Sequence, residues 1–476
     1  MRVSPPHTAE LPNLFLIAAS IGTRARNKTF SIRLPLLGYP AINLALIASL
    51  TPEQFNIRLI DEANDAVPYG QRCDLALIVG LTHQMPNAYY IADRLRARGA
   101  KVLLGGFHVT ARPDEALEHA DAVILGEAEA VWRRILEDFF QGNLKKKYQG
   151  QAMDLAHLPD MRRDLFNKKF YHPGEIIETT RGCAIGCAFC GVQNFFGKNY
   201  RGRPPETIRR ELMLLFGPRP PQARWKSWLA RHWHPDIPYF IERRLLYVMD
   251  SNFISDLNHA RAVLEVFKDC DIRWYGHTSL NLTRDESLLD LMAESGCMGV
   301  NIGFESLQQD TIDSMHKFSN KTADYAESIR RLHERNIGVM GTFIVGFDED
   351  TPAVFDQIAE FAIANRLETA FTLILTPLPG TPLYTQMESQ GRIFNRNWGD
   401  YDHGSVTFFP KNMTPEQLHE GMRSTWRKIY SWRSVWKRTM AKPRLRPFFY
   451  LPVNVGFRRW TRLICSEKLW PPPQHS

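Results

Sequence analysis

Residues 179–197 read TTRGCAIGCAFCGVQNFFG and hold three of the chain's seven cysteines, Cys183, Cys187 and Cys190, within eight residues. Three chemistries use cysteines this close. Disulfides among three thiols leave one over, and Cys73, Cys270, Cys297 and Cys465 are scattered. That pattern does not suit an oxidised secreted scaffold and points to a reducing, cytoplasmic setting. A structural zinc site closes a shell of four ligands. No fourth Cys or His follows at finger spacing, and His172 lies upstream. An iron–sulfur cluster takes thiolate ligands and can be held by three, which leaves one iron for a small molecule. Gly182, Gly186 and Gly191 permit the tight backbone wrapping that a cluster needs.

Working outward, GEIIETTRG reads as a strand, so the cysteines leave its carboxyl end, where barrel enzymes place their chemistry. Downstream, RRLLYVMDSN, DIRWYGHTSL, MGVNIGFES, VMGTFIVGF and TAFTLILTPL are apolar runs of strand length. NHARAVLEVFK, RDESLLDLMAESG and DYAESIRRLHERNIG are amphipathic helices between them. Six strands make a partial (β/α)6 barrel of TIM type over 174–390. It is interrupted at 217–241 by a Pro-, Arg- and Trp-rich surface insertion, GPRPPQARWKSWLARHWHPDIPYF.

Upstream, residues 1–145 alternate strand and helix in the manner of a doubly wound, Rossmann-like α/β domain. LFLIAA and CDLALIVG are continuous apolar runs, as buried parallel strands require. The polar stretch 146–173 reads as a linker. Residues 391–476 turn mainly helical, with Thr414 as an N-cap ahead of Glu416 and Gln417. Length allows about three domains. No run approaches the roughly 20 apolar residues of a membrane span, and no convincing signal peptide is present. The formal net charge is +8, with the excess between Arg423 and Lys468 among Trp426, Tyr430, Trp432, Trp436 and Trp460. Basic and aromatic residues together suit nucleic acid or an anionic membrane surface. They equally suit a solvated helical face with its aromatics packed inward, and charge patterning does not choose.

CxxxCxxC on a first barrel strand, with Phe189 directly before the last cysteine, resembles the radical S-adenosylmethionine (SAM) superfamily. The resemblance implies a [4Fe–4S] cluster on Cys183, Cys187 and Cys190. It also implies SAM chelated to the fourth iron and cleaved by one electron to a 5′-deoxyadenosyl radical. Phe189 would pack on the purine. MDSNF puts Asp250 and Asn252 near the SAM methionyl group, where Gly-Gly-Glu is commoner. IGFES supplies Gly303, Glu305 and Ser306, with Glu305 on the ribose hydroxyls or, alternatively, in a barrel-end salt bridge. FIVGFDED supplies Ile344 against adenine and Gly346 for close approach. TPLPGTPLY resembles the sixth-strand segment beside the adenine.

LTHQMPNAYYIADRLRARGAKVLLGGFHVTARPDEALEHADAVILGEAE resembles the cobalamin-binding domain fused to some radical SAM enzymes. The loops that would meet cobalamin carry Thr82, His83 and Gln84, then Gly105, Gly106 and His108, then Gly126 and Glu127, with Gly80 before them. The DxHxxG motif of many cobalamin proteins is absent. That leaves the lower face of cobalt open, or His83 beneath it. His108 reads equally as a helix-entry hydrogen bonder, and the whole module as one that binds nothing. Together the resemblances cover roughly Leu14 to Tyr384 and match the cobalamin-dependent (class B) radical SAM enzymes. They imply a methyltransferase in which one SAM methylates cob(I)alamin and a second generates the radical. The expected substrate is a small molecule, lipid-like or tetrapyrrole, and the expected electron donor a flavodoxin or ferredoxin. The alternative is a cyclase or oxidoreductase on the same cofactors. RNA methylthiolation enzymes carry a second cluster on amino-terminal cysteines, and here only Cys73 precedes Cys183. Nucleic acid is not an expected partner. A peripheral contact with the inner face of the membrane is.

Overall fold

The computed structural model describes residues 11–21, 39–166, 174–218, 226, 228–229, 236–440 and 447–466. Most of the expected 217–241 insertion, the end of the expected linker and the tail after 466 lie outside the described residues. Two compact units emerge, one of residues 11–21, 40–153 and 157–166, the other of residues 39, 154–156 and 174 onward.

In the first unit the strands are β1 (Asn13–Ala18), β2 (Asn56–Asp61), β3 (Leu75–Val79), β4 (Lys101–Gly105), β5 (Ala122–Leu125) and β6 (Lys147–Gln149). They form one sheet in the order β2-β1-β3-β4-β5-β6, with every pair parallel. Phe15, Ile17, Ala76, Ile78, Val102 and Leu104 pack with Met85, Ile91 and Leu95 of the helix Met85–Arg96. The alternate residues Leu14, Leu16, Leu75, Leu77 and Leu103 are fully buried as well. Both faces are therefore covered, which is why these strands read as unbroken apolar runs. The strand order reverses between β1 and β3, and that switch point is where open α/β sheets bind ligands, beyond the carboxyl ends of the strands. β6 corrects the expected linker boundary at 146, because the sheet continues through Gln149. A three-residue edge strand with one buried residue, Tyr148, is too short to give a periodic signal.

In the second unit the strands are β7 (Glu175–Ile177), a short pair β8 (Thr180–Arg181) and β9 (Arg201–Gly202), then β10 (Leu245–Val248), β11 (Arg273–Thr278), β12 (Cys297–Glu305), β13 (Gly338–Val345) and β14 (Thr369–Ile374). Six of them form an all-parallel sheet, β14-β13-β12-β11-β10-β7, and β7 and β14 are its two unjoined ends. This is the partial barrel. Leu246, Val248, Trp274, Val300, Ile302, Phe304, Val339, Phe343 and Val345 face the helical layer and share one core with it. The helices start where their caps place them: Asp256 accepts from the Asn258 and His259 amides, and Asp285 from that of Leu288.

The carboxyl-terminal helices Pro415–Ile429, Trp432–Thr439 and Pro447–Ser466 belong to the same unit. Thr414 and Gln417 form the capping box at the first. These helices cover the edge strand β14, a position that would otherwise invite pairing with another chain. Trp426 Nε1–H donates to Thr372 O at 2.9 Å, and the Tyr430 hydroxyl to Ala370 O at 3.0 Å. Tyr450 enters the barrel itself: a Cβ on Gly299 or Gly338 would lie 2.1 or 2.4 Å from its hydroxyl oxygen. Those two glycines are the hole that Tyr450 fills. The inward-packed reading of the aromatics thus holds for Trp426, Tyr430 and Tyr450, while Trp432 and Trp436 face solvent.

Candidate active site

The cysteine loop springs from the carboxyl end of β7 and is pinched at its base. β8 and β9 pair antiparallel, Thr180 with Gly202 and Arg181 with Arg201. Gly182 has φ +87°, and a Cβ there would sit 2.4 Å from Asn199 O, so only glycine lets the two arms of the loop pass. Beneath the pinch lies Asp250, with 2% of its surface exposed. Its carboxylate accepts from the Thr179 amide at 2.7 Å, the Thr180 amide at 3.1 Å and the Thr179 hydroxyl. Burial pushes this carboxyl up to about 7. Asn252 accepts from the Ser279 amide at 3.1 Å. Both side chains expected near the SAM methionyl group are therefore engaged in holding strand ends.

At its tip the loop is stitched to two helix ends that follow β12 and β14: Met315 caps the helix Gln309–Ser314, and Leu383 lies in the first turn of the helix Pro382–Ser389. The Ala188 amide donates to Met315 O at 3.1 Å, and Ala188 O accepts from the Leu383 amide at 3.0 Å. Cys187 feels the charge of Cys190, and both feel that of Cys183. Among the described residues, no three His, Cys, Asp or Glu side chains converge as one metal ion would require. Burial pushes the Cys187 thiol up to about 12 and raises Cys190 also, while Lys317 opposes both shifts. Buried thiols of this kind ionise when a metal takes the thiolate, so the donor set fits a cluster.

Lys317 is the residue that motif reading missed. Its ammonium lies 2.6 Å from Glu305 Oε1 and 2.7 Å from Gly303 O, and both partners of the ion pair are buried. It follows β12 by twelve residues and stands outside every recognisable motif. Glu305 has φ +62°, at an irregularity in the β12–β13 pairing between Gly303 and Glu305. A Cβ on Gly303 would lie 2.1 Å from Glu305 Oε1, so that glycine makes the turned carboxylate possible. The salt bridge at the barrel end is thus present. The Ser306 hydroxyl accepts from the Gln308 amide at 3.1 Å. Phe189 meets Phe347 edge-on at 6.4 Å, and half-buried Ile344 packs on the same core. Gly346 has φ +103°, and its amide donates to Asp350 at 2.8 Å. The close approach it allows is made by Leu418, 2.8 Å from where a Cβ would be.

The barrel lumen carries a polar chain that motif reading also passed over. Tyr247, His277, Asn301 and Thr342 come from β10, β11, β12 and β13 and share one face of the sheet. The Tyr247 hydroxyl bonds His277 Nε2. His277 Nδ1 meets the Asn301 amide nitrogen at 3.2 Å, and the Thr342 hydroxyl donates to Asn301 Oδ1 at 3.1 Å. Burial holds the His277 imidazole below its usual value, and so neutral. The signal was present in the alternation: these are polar residues at inward positions of apolar strands.

In the first unit, the carboxyl-end loops bring together small residues. Thr82–Gln84 is one turn of 3₁₀ helix in which Gln84 Oε1 accepts from the Leu81 amide at 2.7 Å; Thr82 is buried and His83 half-buried. Gly106 has φ +112° and ψ −175°, a conformation essentially confined to glycine, and a Cβ there would press on Gly80 O at 3.3 Å. The Thr110 hydroxyl donates to Gly106 O and accepts from the Gly126 amide, both at 2.9 Å, which ties the loops after β4 and β5. Gly105 tolerates a Cβ at ordinary contact distance. Glu127 is buried. His108 is 1% exposed, with Nε2 3.4 Å from Glu115 and its ring edge-on to Tyr89. The structure therefore places it as a helix-entry hydrogen bonder. Side-chain-free backbone beyond the carboxyl ends of parallel strands is what a bulky nucleotide-bearing cofactor needs, so this edge fits cobalamin.

An open parallel barrel with three thiols on the loop after its first strand defines a radical SAM enzyme, and the comparisons agree. The Radical SAM superfamily model matches residues 246–362, and a domain of unknown function, DUF4070, matches 381–446. Bacteriochlorophyllide d C-12(1)-methyltransferase of Chlorobaculum tepidum is 31% identical, with 90% of each chain covered. Bacteriochlorophyllide d C-8(2)-methyltransferase of the same organism is 27% identical, over 87% of this chain and 90% of that one. The fold is shared with the radical SAM methyltransferase TsrM of Kitasatospora setae at a TM-score of 0.65 and 14% identity, over 96% of this chain and 99% of that one. The chain belongs to the cobalamin-dependent (class B) radical SAM methyltransferase family, whose cofactors are a [4Fe–4S] cluster, SAM and cobalamin.

Proposed function

We propose that the protein methylates an unactivated carbon of a tetrapyrrole of the bacteriochlorophyllide class. The observation that carries the reading is the cysteine loop joined through Ala188 to Met315 and Leu383, on the helical segments after β12 and β14, in a chain similar along nine-tenths of its length to a bacteriochlorophyllide methyltransferase. When bound, the cluster and SAM supply a 5′-deoxyadenosyl radical and cobalamin supplies the methyl group.

Each residue then has a task. Cys183, Cys187 and Cys190 hold the cluster, and Lys317 offsets their negative charge. Glu305, fixed through Oε1 by Lys317, offers Oε2 to the ribose hydroxyls. Phe189 and Ile344 flank the adenine. Asp250 and Asn252 hold the strand ends that aim the cysteine loop. Thr82, His83, Gln84, Gly105, Gly106, Gly126 and Glu127 line the cobalamin edge, with His108 behind it as support. In the lumen, Tyr247, His277, Asn301 and Thr342 hold an oxygen function of the substrate. Every bond of that chain can reverse with the amide of Asn301, so its ends can donate to a carbonyl or accept from a hydroxyl. The electron comes from a flavodoxin or ferredoxin.

The test is anaerobic turnover of the reconstituted enzyme with bacteriochlorophyllide d, reductant and SAM deuterated at its methyl group. Labelled methyl in the product supports the proposal. Deoxyadenosine with an altered but unlabelled product would make the enzyme a cyclase or oxidoreductase instead. Changing Cys187 to Ser is expected to bring iron and sulfide content close to background; full cluster content in that variant would remove the cluster assignment.

A further inference from the structure

The helix Trp432–Thr439 is divided between two environments. Ser434, Val435, Arg438 and Thr439 are buried. The Arg438 guanidinium donates to Leu367 O, Glu368 O, Ile429 O and Asn454 Oδ1 at 2.8–2.9 Å, which locks that face into the fold. The opposite face is bare. Trp432 is 54% exposed and Trp436, one turn later, 66% exposed. Arg433 and Lys437 are exposed beside them, and Met440 continues the line at 37% exposure. On the helix Pro447–Ser466, Arg458 lies 4.9 Å over the Trp432 ring, and Arg459 and Arg462 are exposed. No Asp or Glu occurs between Gly421 and Ser466.

The partner must therefore be anionic, and it must also accept two indoles side by side. The indoles lie on a convex helix, four residues apart, so they meet a flat partner and do not line a groove. Single-stranded nucleic acid is bound in grooves where bases stack on aromatic platforms. Indoles within a basic frame match a helix lying in the headgroup region of a bilayer. Among the described residues no helix is long and apolar enough to cross a membrane, so any such contact is made from the surface. We propose that Trp432 and Trp436, framed by Arg433, Lys437, Arg459 and Arg462, dock the protein on the surface of an anionic phospholipid bilayer. Each cation near such a surface strengthens binding about fivefold. The inference stands on the exposed face alone and is independent of the methylation reading.

The test is co-sedimentation of the full-length holoenzyme with vesicles of phosphatidylcholine alone and of phosphatidylcholine mixed with phosphatidylglycerol. The expected result is binding to the mixed vesicles only, reversed by high salt. The W432S/W436S and R433E/K437E variants should each lose at least about tenfold in binding, with iron content and thermal midpoint unchanged. Tryptophan emission quenched by brominated lipid should fall in the first variant. Failure of the wild type to bind, equal binding to neutral vesicles, or variants that bind like the wild type would each overturn the proposal. So would a single-stranded oligonucleotide that displaces the protein from vesicles and binds it through the same two tryptophans.

Discussion

Asp250 shows how a motif residue can carry a structural task that the motif does not display. Its motif position leads to the expectation of a place near the SAM methionyl group. In the structure its two oxygens serve Thr179 and Thr180, on the strand that delivers the cysteines. Its carboxyl, pushed up to about 7, binds more protons in the folded than in the unfolded chain between about pH 4 and 7. Ionisation of Asp250 therefore costs stability as pH rises through that window. The Asp250→Asn variant lacks this term. The urea midpoint of the wild type should fall relative to D250N between pH 4 and 7, by a free energy on the order of 2–4 kcal/mol. Parallel midpoints across that range would show that burial does not perturb this group. The candidate ligands Cys183, Cys187 and Cys190 stand out in the sequence because CxxxCxxC spacing is local. Lys317 does not, because its place beside Glu305 depends on how the chain returns after β12.

At the scale of elements, strands and helices were largely readable. Buried parallel strands and amphipathic helices announce themselves by period, and caps such as Asp256, Asp285 and Thr414 mark the starts. What escaped were the edge strand β6 and the β8–β9 pinch that closes the cysteine loop, both too short to show a period, whereas the equally short β7 was marked by the cysteine loop that follows it. The lumen chain belongs to this scale, since each member comes from a different strand and only register brings them together. Changing Asn301 to Leu removes the central link and leaves His277 Nδ1 and the Thr342 hydroxyl without it. The expected loss in kcat/KM on bacteriochlorophyllide d is about tenfold to a hundredfold, from one to two lost hydrogen bonds to neutral groups. SAM cleavage without substrate should persist. Unchanged kcat/KM would show that the lumen chain does not touch the substrate.

At the scale of the whole molecule, the proposed function divides the cofactor chemistry between two units, and on that proposal each should fail separately. Gly106 in the first unit adopts a backbone conformation that valine cannot share, and its missing Cβ lets the loop after β4 pass Gly80 O. The Gly106→Val variant is expected to purify with less than about a tenth of the wild-type cobalamin, while strain of about 1–3 kcal/mol is absorbed locally. Its iron and sulfide should stay at the wild-type level, read by metal analysis and by the cobalamin absorbance of the same sample. Retained cobalamin would move that cofactor's site away from this loop.

By itself, the sequence determined the order of two parallel α/β layers, the cluster loop and the family. These depend on local spacing and on periodicity, which a linear chain displays openly. The tertiary structure decided which way the motif side chains turn, Glu305 onto Lys317, Asp250 under the cysteine loop and His108 onto Glu115, and that Leu418 fills the space Gly346 leaves. It also decided that Tyr450 enters the barrel beside Gly299 and Gly338 and that Trp432 and Trp436 stay outside. Those choices rest on contacts between residues far apart in the chain, set by strand register and by space left for a ring, and no local pattern encodes them.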